Sequence, residues 1–220
     1  MKPANKPRHA AGRARPAAAL SLCTLIAVAL ALTACSPLQM PTEEAATNWE
    51  LDPASPEPVA TQKDITLHVD RPTAIAALAT RAMAYRERSL QRSYYAHNRW
   101  VDEPARMLHP HLVRAIEDAG VVTGVVSTSA TASAAYRLET ELLELEHDYR
   151  ELEHGRARIR LRARLVDTGR GTVVATRRFE ATEPSRETGP AGGVTAANRA
   201  LERLLEELVA WLPGAVPGQP

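Results

Sequence analysis

An α+β domain, an antiparallel-rich sheet packed by two helices, is the fold that the 220-residue sequence predicts. Three observations carry this. Residues 136–181 fall into three alternating apolar runs separated by turn residues, which reads as a meander of hairpins. Val194, Ala197, Leu201, Leu204, Leu205, Leu208, Trp211 and Leu212 make one apolar stripe at helical spacing, with Arg199, Glu202, Arg203, Glu206 and Glu207 off it. A second helix is bracketed by Asp102 or Glu103 as a cap, Pro104 in the first turn and Gly120 as a stop.

Taken in order, Thr47–Asp52 predicts a short strand and Pro53–Pro58, with three prolines, a loop. Ile65–Val69 alternates and predicts a strand. Arg71–Ala84 is ambiguous, Ala-rich but opened by Pro72. Met83–Arg86 and Ser93–Trp100 predict strands joined by the charged turn Glu87–Arg92. In the first helix Leu108, Leu112, Ala115, Ile116 and Ala119 share a face, and Pro110 predicts a kink or a detached first turn. Val121–Val126 is a short apolar run, and Ser127–Ala135 a small-residue loop. Tyr136, Leu138, Thr140 and Leu142 lie on one parity and Leu143, Leu145, His147 and Tyr149 on the other, the one-residue slip of a β-bulge. Residues 156–166 alternate Ile159, Leu161, Ala163 and Leu165 with Arg158, Arg160, Arg162 and Arg164. Val173–Ala181 completes the meander with the sole phenylalanine, Phe179. Pro213 is expected to stop the last helix, leaving 213–220 as a disordered tail.

The chain is 45% apolar and 24% charged, enough to bury a core and too apolar for wholesale disorder. Its formal charge of +1 conceals an asymmetry: residues 1–34 carry Lys2, Lys6, Arg8, Arg13 and Arg15 and no acid. The remainder holds 22 basic and 26 acidic residues, a balance that excludes the basic field of a nucleic-acid binder.

That basic start precedes an uncharged run, residues 17–32, and together they read as a secretory signal peptide over 1–34. The run is shorter than the roughly 20 residues of a membrane-spanning helix. It ends in Leu32-Thr33-Ala34-Cys35, which resembles the lipobox of bacterial lipoproteins. The resemblance implies a diacylglyceryl thioether on Cys35, cleavage between Ala34 and Cys35, and acylation of the new amine. One chain binds membranes only marginally, whereas two or three anchor firmly. It also implies a sorting role for Ser36, since an aspartate there retains Gram-negative lipoproteins in the inner membrane and serine favours the outer one. Residues 36–46 then form a tether that spans about 18 Å as a coil and at most about 37 Å extended. Cys23 leaves with the leader and Cys35 with the lipid, so the domain has no disulfide, no thiolate nucleophile and no Cys-ligated zinc.

Candidate chemistry within the domain is sparse. Arg158, Arg160, Arg162 and Arg164 line one strand face, where they suit phosphate or lipid headgroups. Their simpler role is pairing with Glu139, Glu141, Glu144 and Glu146 of the preceding strand. The same glutamates lack the cleft that paired acid–base catalysis needs. His109 and His111, two apart on a helix, cannot chelate one metal, and no HExxH, P-loop, GxSxG or dinucleotide motif occurs. Gly189–Gly193 reads as a loop into the last helix. Tyr94, Tyr95 and Trp100 fit core packing better than a ligand cage. No catalytic residue, metal or cofactor is expected, and the ligand-binding residues remain open.

Five segments in this order, namely the lipobox, SYYAHNRWVDEPARML, AYRLETELLELE, ARLVDTGRGTVVATRRFEATEP and NRALERLLEELVAWL, together resemble the ABC-type transport auxiliary lipoproteins, which include the paraquat-inducible protein C type. The similarity covers residues 47–212. It departs at the start, where the family has a Tyr-x-Leu strand and this chain has Asn48-Trp49-Glu50-Leu51. The resemblance implies a compact α/β sandwich on the periplasmic face of the outer membrane. Its partners would be a mammalian-cell-entry (MCE) domain protein that carries lipid, an inner-membrane ABC permease and its ATPase. Because MCE proteins form rings, a homo-oligomer is compatible with it. The rival from the same compartment is an assembly or chaperone lipoprotein for a barrel protein or the lipopolysaccharide machinery. A lipoprotein enzyme would require a polar cleft that the sequence does not reveal.

Overall fold

The computed structural model describes residues 45–127 and 133–217. The expected leader, Leu32, Thr33, Ala34, Cys35, Ser36 and nearly all of the tether lie outside the described residues. Among the described residues nine strands and two α-helices follow in order: β1 (Thr47–Trp49), β2 (Lys63–Val69), β3 (Thr73–Ala74), β4 (Ala82–Arg86), β5 (Ser93–Trp100), α1 (Pro104–Asp118), β6 (Val122–Val126), β7 (Tyr136–Asp148), β8 (Arg156–Asp167), β9 (Thr172–Pro184) and α2 (Pro190–Ala215). The ambiguous stretch after Arg71 resolves into β3, a 3-10 turn over Ala76–Leu78 and the start of β4.

The spine is β7, thirteen residues and about 40 Å long. One edge pairs antiparallel with β8, and β8 with β9, as the meander predicts. The bulge falls where the parity changes: the β7–β8 register slips between Leu142 and Glu144, leaving Leu143 unpaired. The other edge takes three short strands end to end, all parallel. Leu67–Val69 lies beside Tyr136–Leu138, Thr73–Ala74 beside Glu141–Leu142, and Tyr85–Arg86 beside His147–Asp148. Beyond them β2 pairs parallel with β6 through the α1 crossover, and β1 pairs parallel with β5. The α+β class holds, and the sheet is mixed.

Alternation then sorts the side chains. Ala157, Ile159, Leu161, Ala163 and Leu165 of β8 and Phe179 and Ala181 of β9 are buried in one core with Leu108, Leu112 and Ile116 of α1 and the leucines of α2. Trp211 meets Phe179 edge-on at 5.6 Å between centroids. The arginines of β8 occupy the opposite face.

Both helices differ from expectation at a proline. In α1, Glu103 is the cap residue without a side-chain cap bond, while Asp102 accepts the Glu103 N–H at 2.8 Å and pairs with Arg106. Helix α1 runs unbroken through Pro110. Arg106, whose carbonyl Pro110 cannot bond, is exposed, so water can satisfy that oxygen. Gly120, at φ 64°, closes the helix in the left-handed conformation. In α2 the helix starts at Pro190, four residues before its apolar stripe, so Pro190–Gly193 is its first turn and not a loop. Nor does Pro213 stop it. The helix continues to Ala215, and the Val216 N–H reaches the Leu212 carbonyl at 3.1 Å with its side chain buried. A proline removes the bond to the residue four before it and crowds that carbonyl, and the last turn of α2 forms around Pro213 all the same. The disordered tail therefore does not begin at 213; residues 218–220 lie outside the described residues. No helix among the described residues is long and apolar enough to cross a membrane.

Candidate functional site

The arginine row folds into ion pairs with both neighbouring strands. Arg160 meets Glu144 at 3.0 Å and Glu180 of β9 at 3.2 Å, and Arg162 pairs with Glu141. Arg158 reaches Glu144 at 3.5 Å, Asp148 at 3.4 Å and Glu180 at 3.1 Å. Arg164 has no ion pair among the described residues. Glu146, opposite Arg158 in register, instead accepts Arg86 at 2.7 and 3.0 Å and Arg92 at 3.2 Å, with its own carboxylate fully buried. Burial pushes Glu146 upward, but the two guanidiniums outweigh it and hold the carboxyl below its ordinary range. Burial and the neighbouring Glu146 charge keep Glu144 above it. Arg150 holds Asp148 far below. These carboxylates are committed to structural pairs, which fixes register and neutralises the face.

At the far end of β7 the aromatic residues part company. Trp100 is core, Tyr94 is 44% exposed, and Tyr95 joins Tyr85, His147 and Tyr149. The hydrogen bonds there have one consistent direction. The His147 Nε2–H donates to the His154 carbonyl at 2.9 Å, so Nδ1 is an acceptor and takes the Tyr95 O–H at 3.2 Å. The Tyr95 oxygen then accepts the Tyr149 O–H at 2.8 Å, and the Tyr149 oxygen accepts the Gly189 N–H at 3.0 Å. Burial depresses the His147 pKa and raises that of Tyr95, so both stay neutral. The wire begins and ends on backbone, which makes it a clamp joining β5, the 149–155 turn and the start of α2. Gly155 and Gly193 flank the ring; a Cβ on either would stand 2.6 Å from Nε2 or 2.5 Å from Nδ1. The sequence reading missed this cluster, since Tyr85, Tyr95 and the His147–Tyr149 pair sit in three separate segments; only the Gly-rich start of α2 hinted at a close approach.

The two helix histidines diverge as expected. His109 Nε2 bonds the Val69 carbonyl at 3.2 Å. His111 Nε2 bonds that of Leu51 at 2.9 Å, with Nδ1 accepting from Arg114 at 3.1 Å. Burial lowers the His111 pKa. Among the described residues no three His, Cys, Asp or Glu side chains are grouped to hold a metal.

A mixed sheet is thus backed by two helices, with Arg158, Arg160 and Arg162 ion-paired and the polar wire closed on backbone at both ends. Residues 49–209 match the family of ABC-type transport auxiliary lipoprotein components, and the chain belongs to that family. Protein XCC0632 from Xanthomonas campestris, of family DUF330, has a similar structure at 27% identity and a TM-score of 0.71, over 77% of this chain and 96% of that one. An uncharacterized protein of known structure shares the fold at 15% identity and a TM-score of 0.61, over 77% and 99% of the two chains. In sequence, the uncharacterized protein bll6063 of Bradyrhizobium diazoefficiens is 29% identical over 161 residues, 72% of this chain. The chain spans 42% of that relative's length.

Proposed function

We propose that this chain is a non-catalytic, lipid-anchored accessory subunit of an MCE-type lipid transport system, held at the periplasmic face of the outer membrane through Cys35. The family match across 49–209 carries the reading, and the lipobox Leu32-Thr33-Ala34-Cys35 supports its anchored half. Ser36 supports the outer-membrane address. The domain's own chemistry agrees with an accessory role: the buried carboxylates of β7 are ion-paired and the His147 wire terminates on backbone, so neither is poised for proton transfer. The tether gives the domain a reach of a few tens of ångströms at most from its membrane. Docking on, or receiving from, a partner that spans the rest of the gap is the task such an anchor permits.

In-cell crosslinking of a C-terminally tagged full chain, with mass spectrometry of its partners, tests this. An MCE-domain protein recovered with its permease is expected, with the tagged chain in the outer-membrane density fraction. Cys35→Ala should abolish both the membrane fraction and incorporation of labelled palmitate. Recovery of barrel proteins alone, or of no transporter component, overturns the reading in favour of an assembly lipoprotein.

A further inference from the structure

The tyrosines of the clamp turn their other side to a groove of about 610 Å³. Tyr85, Tyr95 and Tyr149 wall it, and Glu87 and Glu153 supply its charge. The walls meet as a corner: the Tyr85 and Tyr95 rings lie 4.7 Å apart at 32°, and Tyr85 and Tyr149 lie 6.3 Å apart at 82°. Among the described residues no basic side chain lines the groove. Glu87 and Glu153 have no ion pair or hydrogen bond among the described residues, unlike Glu144, Glu146, Asp148 and Glu180, which arginines hold.

We propose that this groove binds an organic ammonium group, quaternary or primary, against the tyrosine faces with Glu87 and Glu153 as counter-charges. Aromatic faces attract a cation of low charge density, whose hydration is weak enough to lose, and near-perpendicular rings contact it on two sides. A hard metal ion wants several oxygen ligands at once, which two carboxylates do not provide. The walls are set in advance. Tyr95 and Tyr149 are fixed by their hydroxyl bonds in the clamp, so binding orders little that is not already ordered. The ammonium can be free or can be the headgroup of a phospholipid; only the second source rests on the transport reading.

Ligand-observed saturation-transfer NMR on the full chain in a non-ionic detergent tests the site, with choline and ethanolamine as probes. Saturable transfer is expected from both. The Glu87→Gln/Glu153→Gln variant and, separately, Tyr85→Leu should each weaken it about tenfold. The Tyr85 hydroxyl takes no part in the clamp's hydrogen bonds, and far-UV circular dichroism checks that its variant keeps the fold. Competition then separates the sources. Displacement by dihexanoyl phosphatidylethanolamine at lower concentration than by ethanolamine assigns the site to a headgroup, and the reverse order assigns it to a free ammonium compound. Absence of saturable transfer, equal transfer in the variants, or equal displacement by dihexanoyl phosphatidylglycerol, which has no ammonium, overturns the proposal. Loss of the MCE partner in the crosslinking experiment would leave this result standing.

Discussion

Replacing Gly193 by alanine sets a helix gain against a clash, and the structure decides the sign. Gly193 lies in the first turn of α2, its N–H bonded to the Gly189 carbonyl at 3.1 Å, so alanine suits the backbone. Helix propensity alone would favour the change by about 1 kcal/mol. The added Cβ, however, would stand 2.5 Å from His147 Nδ1, 3.0 Å from Cγ and 3.2 Å from Cε1. The ring cannot easily recoil. Tyr95 holds Nδ1, the His154 carbonyl holds Nε2, the Tyr149 ring stacks at 4.2 Å, and Gly155 crowds the opposite edge. Overpacking of a buried site costs about 1–3 kcal/mol, and displacing the ring forfeits a buried hydrogen bond of about 1 kcal/mol. The net expectation is a loss on the order of 1–3 kcal/mol, with Tm falling by about 2–4 °C per kcal/mol. Gly214→Ala, in the same helix with nothing within 4 Å of the new Cβ, should instead gain up to about 1 kcal/mol. Urea unfolding of the full chain at pH 8, followed by far-UV circular dichroism, measures both. A His147→Ala/Gly193→Ala pair closes a double-mutant cycle and should show the coupling as recovered stability. Gly193→Ala matching wild type, while Gly214→Ala behaves as expected, would refute the clamp.

Two further outcomes follow from the buried titratable groups. His147 and His111 are held below their ordinary pKa by burial, so the unfolded chain takes up their protons first as pH falls. Stability should be level above about pH 6.5 and decline below it, by at most about 1.4 kcal/mol per pH unit per histidine, with the elevated Glu144 working against them; urea midpoints from pH 8 to 5 should flatten in His147→Gln, and an unchanged slope contradicts the assignment. Glu146→Gln leaves Arg86 and Arg92 without their shared carboxylate and should lose on the order of 2 kcal/mol, a value that an exposed control such as Glu206→Gln should not approach.

How much of this was legible depended on whether a partner lay nearby in sequence. The β7–β9 meander, the bulge at Leu143 and the acid–arginine pairing are hairpin features, and alternation plus turn residues displays them directly. Parallel pairing carries no such local mark. Thr73–Ala74 is two residues long and acquires its strand character only because the β7 edge is there to receive it. Helix ends differ from expectation at Pro190 and Pro213 because a proline perturbs its own turn locally, whereas tertiary contacts of Gly193 and Val216 decide whether that turn forms. Tyr94, Tyr95 and Trp100 were adjacent in sequence and were read together, yet strand alternation and the end of β5 send them to three different places. The clamp needed Tyr85, Tyr95, His147, Tyr149 and Gly189 from four stretches of chain, and no spacing rule reports that.

The two polar systems of the sheet differ in what they leave available. On the open face, Arg158, Arg160 and Arg162 are answered by Glu141, Glu144, Asp148 and Glu180, so an arriving phosphate would have to compete with carboxylates already in place. That competition makes the face a poor anion receptor at three of its four arginines, and Arg164 alone of the row has no ion pair among the described residues. At the far end of β7 the internal demand is met by neutral hydroxyls, an imidazole and backbone groups. There the acids Glu87 and Glu153 are not consumed by the fold, and the aromatic faces above them are held still. Free charge, not total charge, determines where a ligand can gain by binding. By that criterion the tyrosine groove, and not the arginine row, is where this domain recognises a small charged group.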